Sequence, residues 1–237
     1  MSSSKPTDEA RIKLLAGTKL FGTLGSADIT TIAGYLRPVA FKTNQLIFSR
    51  GDEGRDIYFV TEGRVRLSIL SGDGRELSLV HAAAGEFFGE IAALDAAPRS
   101  ADATALGSVK GFILPQSAIR TLLETNPRVA AAAIHFLCQR IRDTNEKLEA
   151  IALHPIEVRI ARFILTALKL QKISPKDGQA TFDLAMSQGE LALLVGASRP
   201  KVNIVLTLLE DRGAISRTGT RISCAVEALE QMAAGEA

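Results

Sequence analysis

The pattern of apolar and polar positions divides the chain into two parts of different character. Between Phe41 and Leu114, short apolar runs alternate with turn residues, whereas apolar residues recur at helical spacing from Asn126 onwards. The runs are 45–48, 57–60, 65–70, 77–80 and 111–114, and the turns contain Gly51, Gly54, Gly63, Gly72, Gly74, Gly85 and Gly89. Strand-length runs at such intervals predict an antiparallel barrel or roll. The Asp73-Gly74 pair tolerates positive φ and predicts a hairpin.

The second part begins with a predicted long helix. Asn126-Pro127 is typical of a helix start, with Asn as cap and Pro in the first turn, and His154-Pro155 ends the pattern. A narrow apolar stripe runs along this helix and is interrupted by the polar Thr144. We call it the seam, and it consists of Ile134, Leu137, Ile141, Leu148 and Ile151. Its 3-4 spacing favours a partner helix from a second copy of the chain, and packing within the chain is the alternative.

Residues 186–213, MSQGELALLVGASRPKVNIVLTLLEDRG, predict a helix-turn-helix. Ser187 and Glu190 have the spacing of a capping box, and Gly196 suits the tight turn between two helices. Ser198 is the expected cap of the second helix, with Pro200 inside its first turn. The expected buried residues of this helix are Val202, Val205, Leu206 and Leu209.

The predicted exposed side of this motif carries side chains of the types that contact DNA bases. Arg suits guanine, Asn suits adenine, and Lys suits guanine or phosphate, which indicates base contacts by Arg199, Lys201 and Asn203. Residues 214–224 predict a hairpin wing whose arginines flank a Thr-Gly-Thr tip. The candidate DNA-binding residues are Ser187, Gln188, Ser198, Arg199, Pro200, Lys201, Asn203, Arg217, Thr218 and Arg221.

Composition and charge refine this picture. The 237 residues suit two domains, and the two cysteines make no disulfide framework, which fits a reducing cytoplasm. No signal peptide or membrane-spanning run is present in the sequence, so we expect a soluble cytoplasmic protein without a membrane partner. The net charge of +2 is too small to indicate nucleic-acid binding. Residues 196–221, however, contain five basic residues and two acidic ones, so positive charge is concentrated in this segment.

Residues 85–104, GEFFGEIAALDAAPRSADAT, combine groups that suit a nucleotide. Arg99 offers a cationic fork to a phosphate, and Ser100 adds a hydroxyl donor. The Glu90 carboxylate accepts hydrogen bonds from sugar hydroxyls. For each of these residues alone, a surface ion pair is the alternative role. The occurrence of these residues in this order within fifteen positions favours an anion pocket.

From about Leu20 to Cys224 the chain resembles the cyclic-AMP receptor protein/FNR (Crp/Fnr) family of bacterial transcription regulators, cyclic-nucleotide-binding branch. The segment FGEIAALDAAPRSA resembles the family's phosphate-binding cassette. The resemblance implies an α+β fold with a cyclic-nucleotide-binding β-roll, a long dimerisation helix and a C-terminal winged helix-turn-helix. We expect an N-terminal segment at 1–19, the roll at 20–124, the helix at 125–153 and the DNA-binding domain at 154–237.

The resemblance also assigns roles by position. It places Gly89 and Glu90 on the ribose, and Arg99 and Ser100 on the cyclic phosphate. Ile91 and Ala92 complete the cassette. Thr144 is assigned to the purine in its own subunit and Asn145 to the purine bound in the partner subunit. The alternative for Thr144 is a hydrogen bond to its own helix.

These assignments predict a homodimer that binds near-palindromic DNA when cAMP, or alternatively cGMP, is bound, with RNA polymerase as a further partner. No metal, haem or iron–sulfur cluster is expected, because no cysteine precedes Cys138 and His81 is assigned a structural role. Pro200 and Ile204 depart from the family's recognition-helix pattern, so the operator sequence does not carry over. A nucleotide-independent regulator with a vestigial pocket is the alternative. We do not expect an enzyme, since no metal-ligand cluster, nucleophile elbow or Walker loop occurs in the sequence.

Overall fold

A computed structural model describes residues 6–72, 76–184 and 186–235, which fall into two compact units, 1–142 and 143–237. The helices of the described residues are α1 (Pro6–Ala16), α2 (Ser26–Tyr35), α3 (Glu90–Asp95), α4 (Gln116–Thr125), α5 (Pro127–Leu153), α6 (Ile156–Leu170), α7 (Gln188–Val195), α8 (Arg199–Asp211) and α9 (Val226–Ala234). The strands are β1 (Arg37–Phe41), β2 (Leu46–Phe48), β3 (Asp56–Leu70), β4 (Glu76–Ala83), β5 (Phe87–Phe88), β6 (Asp102–Pro115), β7 (Gln179–Asp183), β8 (Ile215–Thr218) and β9 (Arg221–Ala225). The boundary between the units falls within α5.

The N-terminal unit is built on an antiparallel sheet, as the alternation of apolar runs and turns predicts. The strand order is β1-β6-β3-β4, with β2 also paired to β6 and β5 paired to β3. Aromatic side chains fill its interior: the rings of Phe59 and Phe87 stack at 4.8 Å, and those of Tyr58 and Phe88 stack at the same separation. Together with the helices of both units, this sheet confirms the α+β class.

One predicted turn in this sheet is wrong. The runs 57–60 and 65–70 belong to the single strand β3, and Gly63 lies where its register with β6 shifts, between Glu62 and Arg64. Gly63 has φ of +84°, and a Cβ there would come within 2.4 Å of the Ser108 carbonyl oxygen. The glycine therefore permits a bulge and a close backbone approach instead of a chain reversal.

The hairpin predicted at Asp73-Gly74 lies outside the described residues. The strands on either side of it pair antiparallel, from Arg64 opposite Ala83 to Leu70 opposite Glu76.

The long helix begins and ends where the sequence predicts. Asn126 Oδ1 accepts a hydrogen bond from the backbone N–H of Arg128 at 3.1 Å, which is the capping contact expected of this residue. The buried Asp28 of α2 accepts further bonds from Asn126 Nδ2 at 2.6 Å and Arg128 Nε at 2.9 Å. The Arg128 hydrogen bond, followed by that of Asn126, lowers the pKa of Asp28. These contacts fix the start of α5 against α2, a helix that the apolar pattern did not predict.

The C-terminal unit combines α6 to α9 with a three-stranded sheet in the order β7-β9-β8. Its core contains the buried faces of both motif helices, including Leu191 on α7 and Val202 and Leu209 on α8. Ile160, Ile164 and Leu168 of α6 lie in the same core, at the helical spacing seen in the sequence. The described part of the chain has no single helix long and apolar enough to cross a bilayer. Only α7 and α8 together satisfy that criterion, as a pair bent by 99°.

Candidate functional site

The predicted nucleotide cassette forms a pocket at the end of the short strand β5. Gly89 follows this strand in the left-handed conformation, with φ of +76°, and turns the chain into α3. A cavity of about 310 Å³, including its open mouth, lies beside this turn. It is lined by Phe48, Leu67, Gly89, Glu90, Ile91, Ala92, Arg99, Ser100 and Ala101. We call it the Arg99 pocket, and it contains six of the eight residues predicted to bind the nucleotide.

The guanidinium of Arg99 is held firmly in this pocket. The residue is only 4% exposed, Nη1 donates to the Gly89 carbonyl at 2.7 Å, and Nη2 donates to the Asp56 carbonyl at 3.0 Å. Its central carbon lies 4.2 Å from the Phe48 ring centroid, a cation–π distance. Burial lowers the pKa of Arg99. Because its hydrogen-bonded partners are neutral carbonyls and burial removes water from the cation, the guanidinium favours an anionic ligand.

Arg99 has a donor that its contacts within the protein do not use. Arginine carries five N–H donors, of which two bond carbonyl oxygens and another bonds the Tyr58 side chain. The Nε atom is buried and has no hydrogen-bond partner within the described residues. A phosphate supplies acceptors in the planar, two-oxygen geometry that a guanidinium fork matches.

Gly89 is required by space as well as by backbone conformation. A Cβ at this position would lie 2.7 Å from Arg99 Nη1 and 3.3 Å from the Asp56 carbonyl oxygen. Any side chain would therefore push the guanidinium away from the carbonyls that hold it.

Glu90 is buried beside a cation that the sequence analysis missed. Its side chain is 6% exposed, and Oε1 lies 3.4 Å from Nε of Arg140 on α5. Burial raises the pKa of Glu90, and the Arg140 charge opposes this rise without overcoming it. Arg140 also donates to the Phe87 carbonyl at 2.7 Å. No local signal marks Arg140, because the contact joins residues fifty positions apart.

The other predicted nucleotide ligands differ in their surroundings. In the cassette, Ile91 and Ser100 are exposed whereas Ala92 is buried. Thr144 and Asn145 are exposed on α5 in the C-terminal unit, and their assignment to the purine stays a prediction.

The seam residues of α5 are largely uncovered. Ile134, Ile141 and Leu148 are 62%, 60% and 64% exposed. Ile151 is 38% exposed, and Leu137 is half-buried. These large aliphatic side chains form an exposed apolar row along α5.

The helix-turn-helix has the local geometry that the sequence predicts. Ser187 Oγ accepts from the Glu190 N–H at 3.2 Å, and Glu190 Oε2 accepts from the Ser187 N–H at 2.7 Å, which completes the capping box. Gly196 ends α7 in the left-handed conformation, with φ of +65°.

The predicted side-chain cap of α8 is wrong. Ser198 occupies the cap position, but its side chain makes no capping hydrogen bond. A cap normally accepts from the second or third helical N–H, and the second position is Pro200, which has none. The Ser198 hydroxyl is exposed, which leaves it accessible to a phosphate.

The predicted DNA-binding residues are mostly accessible. Eight are exposed, namely Ser187, Ser198, Arg199, Pro200, Lys201, Asn203, Thr218 and Arg221, and Gln188 is half-buried. All of them lie in the C-terminal unit, at the starts of α7 and α8 or on the wing formed by β8 and β9.

Arg217 alone among these residues has a strong partner inside the protein. Its Nε donates to Glu210 Oε1 at 2.9 Å and its Nη2 to Oε2 at 2.5 Å, so the pair is bidentate. The Arg217 hydrogen bond lowers the pKa of Glu210, and the same bond raises the pKa of Arg217. The pair fastens the wing to the last turn of α8.

Arg159 of α6 is a second residue that the sequence analysis missed. Its Nη1 donates to the carbonyls of Val195 and Gly196, the latter at 3.2 Å. A cation here satisfies the otherwise unpaired carbonyls at the C-terminal end of α7. Arg159 therefore positions the turn between the two motif helices.

Comparisons with known proteins match both parts of the chain in which the predicted sites lie. The family model for the cyclic nucleotide-binding domain matches residues 38–126, and that for the Crp-like helix-turn-helix domain matches residues 158–232. A "Cyclic AMP receptor protein" of Thermus thermophilus is 30% identical over 201 residues, which cover 85% of this chain and 89% of that protein. The chain belongs to the Crp/Fnr family of transcription regulators. It is thus a DNA-binding regulator and not an enzyme.

Further relatives of this regulator support the same assignment. A "CRP-like cAMP-activated global transcriptional regulator" of Mycobacterium tuberculosis is 29% identical over 213 residues, covering 89% of this chain and 93% of the relative. The structure of the c-di-GMP responsive global regulator CLP of Xanthomonas campestris superposes with a TM-score of 0.72 at 24% identity, covering 84% and 99% of the two chains. The latter similarity concerns the fold alone. Within the described residues of the regulator, no group of three or more His, Cys, Asp or Glu is placed to hold a metal ion.

Proposed function

We propose that this regulator is a homodimer that binds near-palindromic DNA when a cyclic nucleotide occupies the Arg99 pocket. The proposed ligand is cAMP. The alternative is cGMP, because Ser100, Thr144 and Asn145 can each donate and accept hydrogen bonds and therefore do not exclude guanine. We further propose that the protein acts in the cytoplasm together with RNA polymerase, as the family resemblance implies.

One observation carries the nucleotide proposal. Arg99 is a buried cation with an unused donor, and it lies in a cavity beside Glu90, a buried carboxylate. A cyclic phosphate supplies the anion for the first group, and a ribose hydroxyl supplies a donor for the second. Both named relatives that share 29–30% identity are described as cyclic AMP regulators.

The exposed seam supports the dimer. Pairing two copies of α5 along Ile134, Ile141 and Leu148 removes these side chains from water, each of which is at least 60% exposed in the single chain. Two recognition helices related by a twofold axis read half-sites about one DNA turn apart, ~34 Å. We expect nucleotide binding to shift an existing equilibrium between dimer arrangements towards this spacing.

A second candidate function has one observation in its favour. Arg99 already bonds two backbone carbonyls, and Glu90 already faces Arg140, so both charges have partners without any ligand. A regulator that binds DNA independently of nucleotide, with a vestigial pocket, would retain the same contacts for stability.

Calorimetric titration of the purified regulator with cAMP and with cGMP tests the pocket. We expect one nucleotide to bind and Arg99→Ala to weaken that binding on the order of a hundred-fold or more, the cost of removing one partner of a buried charged contact. Arg120→Ala is the control, since Arg120 is an exposed cation that pairs with the exposed Glu124 at the surface of the same unit. Nucleotide binding that survives Arg99→Ala contradicts the assigned site.

A DNA-affinity measurement with and without the bound nucleotide separates the two candidate functions. The first predicts much tighter binding to a selected operator when nucleotide is present. Equal affinity in both conditions favours the nucleotide-independent regulator.

A further inference from the structure

The exposed face of α8 carries an uncharged row at its centre. Pro200, Ile204 and Thr207 recur at i, i+4 and i+7, which places them on one side of the helix. All three are exposed, and Ile204 is 67% exposed. The opposite side consists of residues buried in the core, namely Val202, Val205, Leu206 and Leu209. We call Pro200, Ile204 and Thr207 the outer row.

Polar base-reading side chains flank this row. At 100° per residue, Lys201 lies on one side of Ile204, and Asn203 and Arg199 lie on the other. Whatever surface Lys201 and Asn203 contact therefore also covers Ile204. Under the proposed function, in which α8 enters the major groove, that surface consists of base edges.

The apolar side chain of Ile204 can pack favourably against only some base edges. It has no donor or acceptor, so packing it against a ring nitrogen, a carbonyl oxygen or an exocyclic amine leaves that group without its water. The major groove offers one prominent apolar group, the C5-methyl of thymine. Covering a 67% exposed isoleucine with this methyl also removes apolar surface from water.

We propose that Ile204 is a specificity-determining residue that reads one thymine in each half-site through its C5-methyl group. This inference deepens the proposed function and rests on it. The operator then contains a thymine at a fixed position next to the bases read by Lys201 and Asn203.

The test uses the full-length regulator and an operator selected from a pool of randomised duplexes, with cAMP or cGMP present as required. Each thymine of the operator is replaced in turn by deoxyuridine, which removes only the methyl and keeps base pairing. We expect one symmetric pair of positions at which the replacement weakens binding by roughly four-fold per half-site, the effect of exposing one methyl-sized group. Ile204→Ala should bind the thymine and deoxyuridine operators equally.

Leu170→Ala is the matched control, because Leu170 is a 79% exposed aliphatic residue on α6 of the same unit. It should discriminate between the two operators as the wild type does. Thermal melting should show Ile204→Ala to be as stable as the control, since neither side chain is buried.

Three results overturn the inference: no thymine position is sensitive to the methyl, Ile204→Ala retains the wild-type discrimination, or Ile204→Ala loses affinity for both operators far beyond one methyl contact. The last result would show that Ile204 contacts more of the operator than one base methyl. Failure of the proposed function is distinct, because the randomised pool would then yield no bound sequence, or would yield the same operator with equal affinity in the absence of cAMP and cGMP.

Discussion

At the scale of single residues, the Arg99 pocket depends on a glycine that leaves room for a cation. Gly89 adopts φ of +76°, and Arg99 Nη1 occupies the space next to the position that a Cβ would take. The two residues are ten positions apart, yet neither can be replaced without affecting the other. Gly89 thus controls the position of the guanidinium although it has no functional group of its own.

Substituting Gly89 separates this spatial effect from backbone strain. We expect Gly89→Ala to weaken nucleotide binding at least ten-fold, because the new Cβ displaces the guanidinium. Gly107→Ala is the control, since Gly107 has φ of +85° but no atom within 4 Å of the added Cβ. Both changes should lower the free energy of unfolding by about 1–2 kcal/mol through left-handed strain. Calorimetric titration should show a loss of affinity in Gly89→Ala alone, and equal affinities would contradict this account.

Glu90 should give the nucleotide-free protein a pH-dependent stability. Burial raises the pKa of Glu90 in the folded state, so its contribution is fully present below its unfolded pKa and is lost as pH rises through the folded value. Glu90→Gln lacks this titration. We therefore expect Glu90→Gln to gain stability relative to wild type as the pH increases from about 4 to about 8, measured by chemical denaturation.

The Arg140 ion pair exists only while Glu90 is ionised, so its loss in Glu90→Gln acts with the opposite slope, and the raised pKa of Glu90 means that burial outweighs it. Glu124→Gln is the control, because the Glu124 side chain is 63% exposed and pairs with Arg120 at the surface. If the free energy of unfolding of Glu90→Gln instead falls relative to wild type as pH rises, the Arg140 attraction exceeds the cost of burial.

At the scale of elements, the helix-turn-helix was the most predictable part of the chain. Its limits depend on local signals, namely the capping box at Ser187 and the left-handed turn at Gly196, and both are confirmed. The roll was less predictable, because Gly63 has the same sequence signature in a bulge as in a turn. Helices α1, α2, α4 and α9 were not predicted from the apolar pattern.

The residues of the candidate sites also differ in whether local sequence signals could reveal them. The cassette residues around Arg99 are consecutive in the sequence and were found there. Arg140, Arg159 and the Glu210 partner of Arg217 were not, since each contact depends on the folded path of the chain. Pro200, two positions after Ser198, removes one of the two N–H groups that a side-chain cap normally bonds, and this residue was already visible in the sequence.

The pair between α8 and the wing predicts the role of Arg217. Glu210 engages the guanidinium through two bonds, so we expect Arg217 to brace the wing instead of neutralising a phosphate. Arg217→Ala and Glu210→Ala should then weaken DNA binding to a similar extent, and the double variant no further. The slope of log K against log salt should stay unchanged in all three, as measured by fluorescence anisotropy.

The exposed Arg221 on β9 provides the contrast. Arg221→Ala should reduce the salt slope by about one, as expected for the loss of a phosphate contact. If Arg217→Ala lowers the salt slope by a similar amount and Glu210→Ala has no effect on DNA binding, Arg217 contacts a phosphate instead of bracing the wing.

At the scale of the whole molecule, the seam of α5 is expected to determine the oligomeric state. Leu148→Asp places a charge among exposed aliphatic side chains that the dimer would bury, so it should yield monomers with greatly reduced operator affinity. Sedimentation velocity measures the first effect and anisotropy the second. Leu170→Asp is the control, since Leu170 is even more exposed but lies outside the seam. If Leu148→Asp remains a dimer, the prediction that the chain dimerises through the seam is wrong.

The immobilised arginine has a further consequence for how stability and affinity are balanced. Ordering a long side chain on binding ordinarily costs about 0.5–1.5 kcal/mol in lost rotamer freedom. In this protein the Phe48 ring and two carbonyls restrict Arg99 during folding, before any anion is present. Folding thus bears an entropic cost that binding then avoids. Variants selected only for thermal stability should tend to release or replace Arg99, and they should lose their response to the nucleotide as they become more stable.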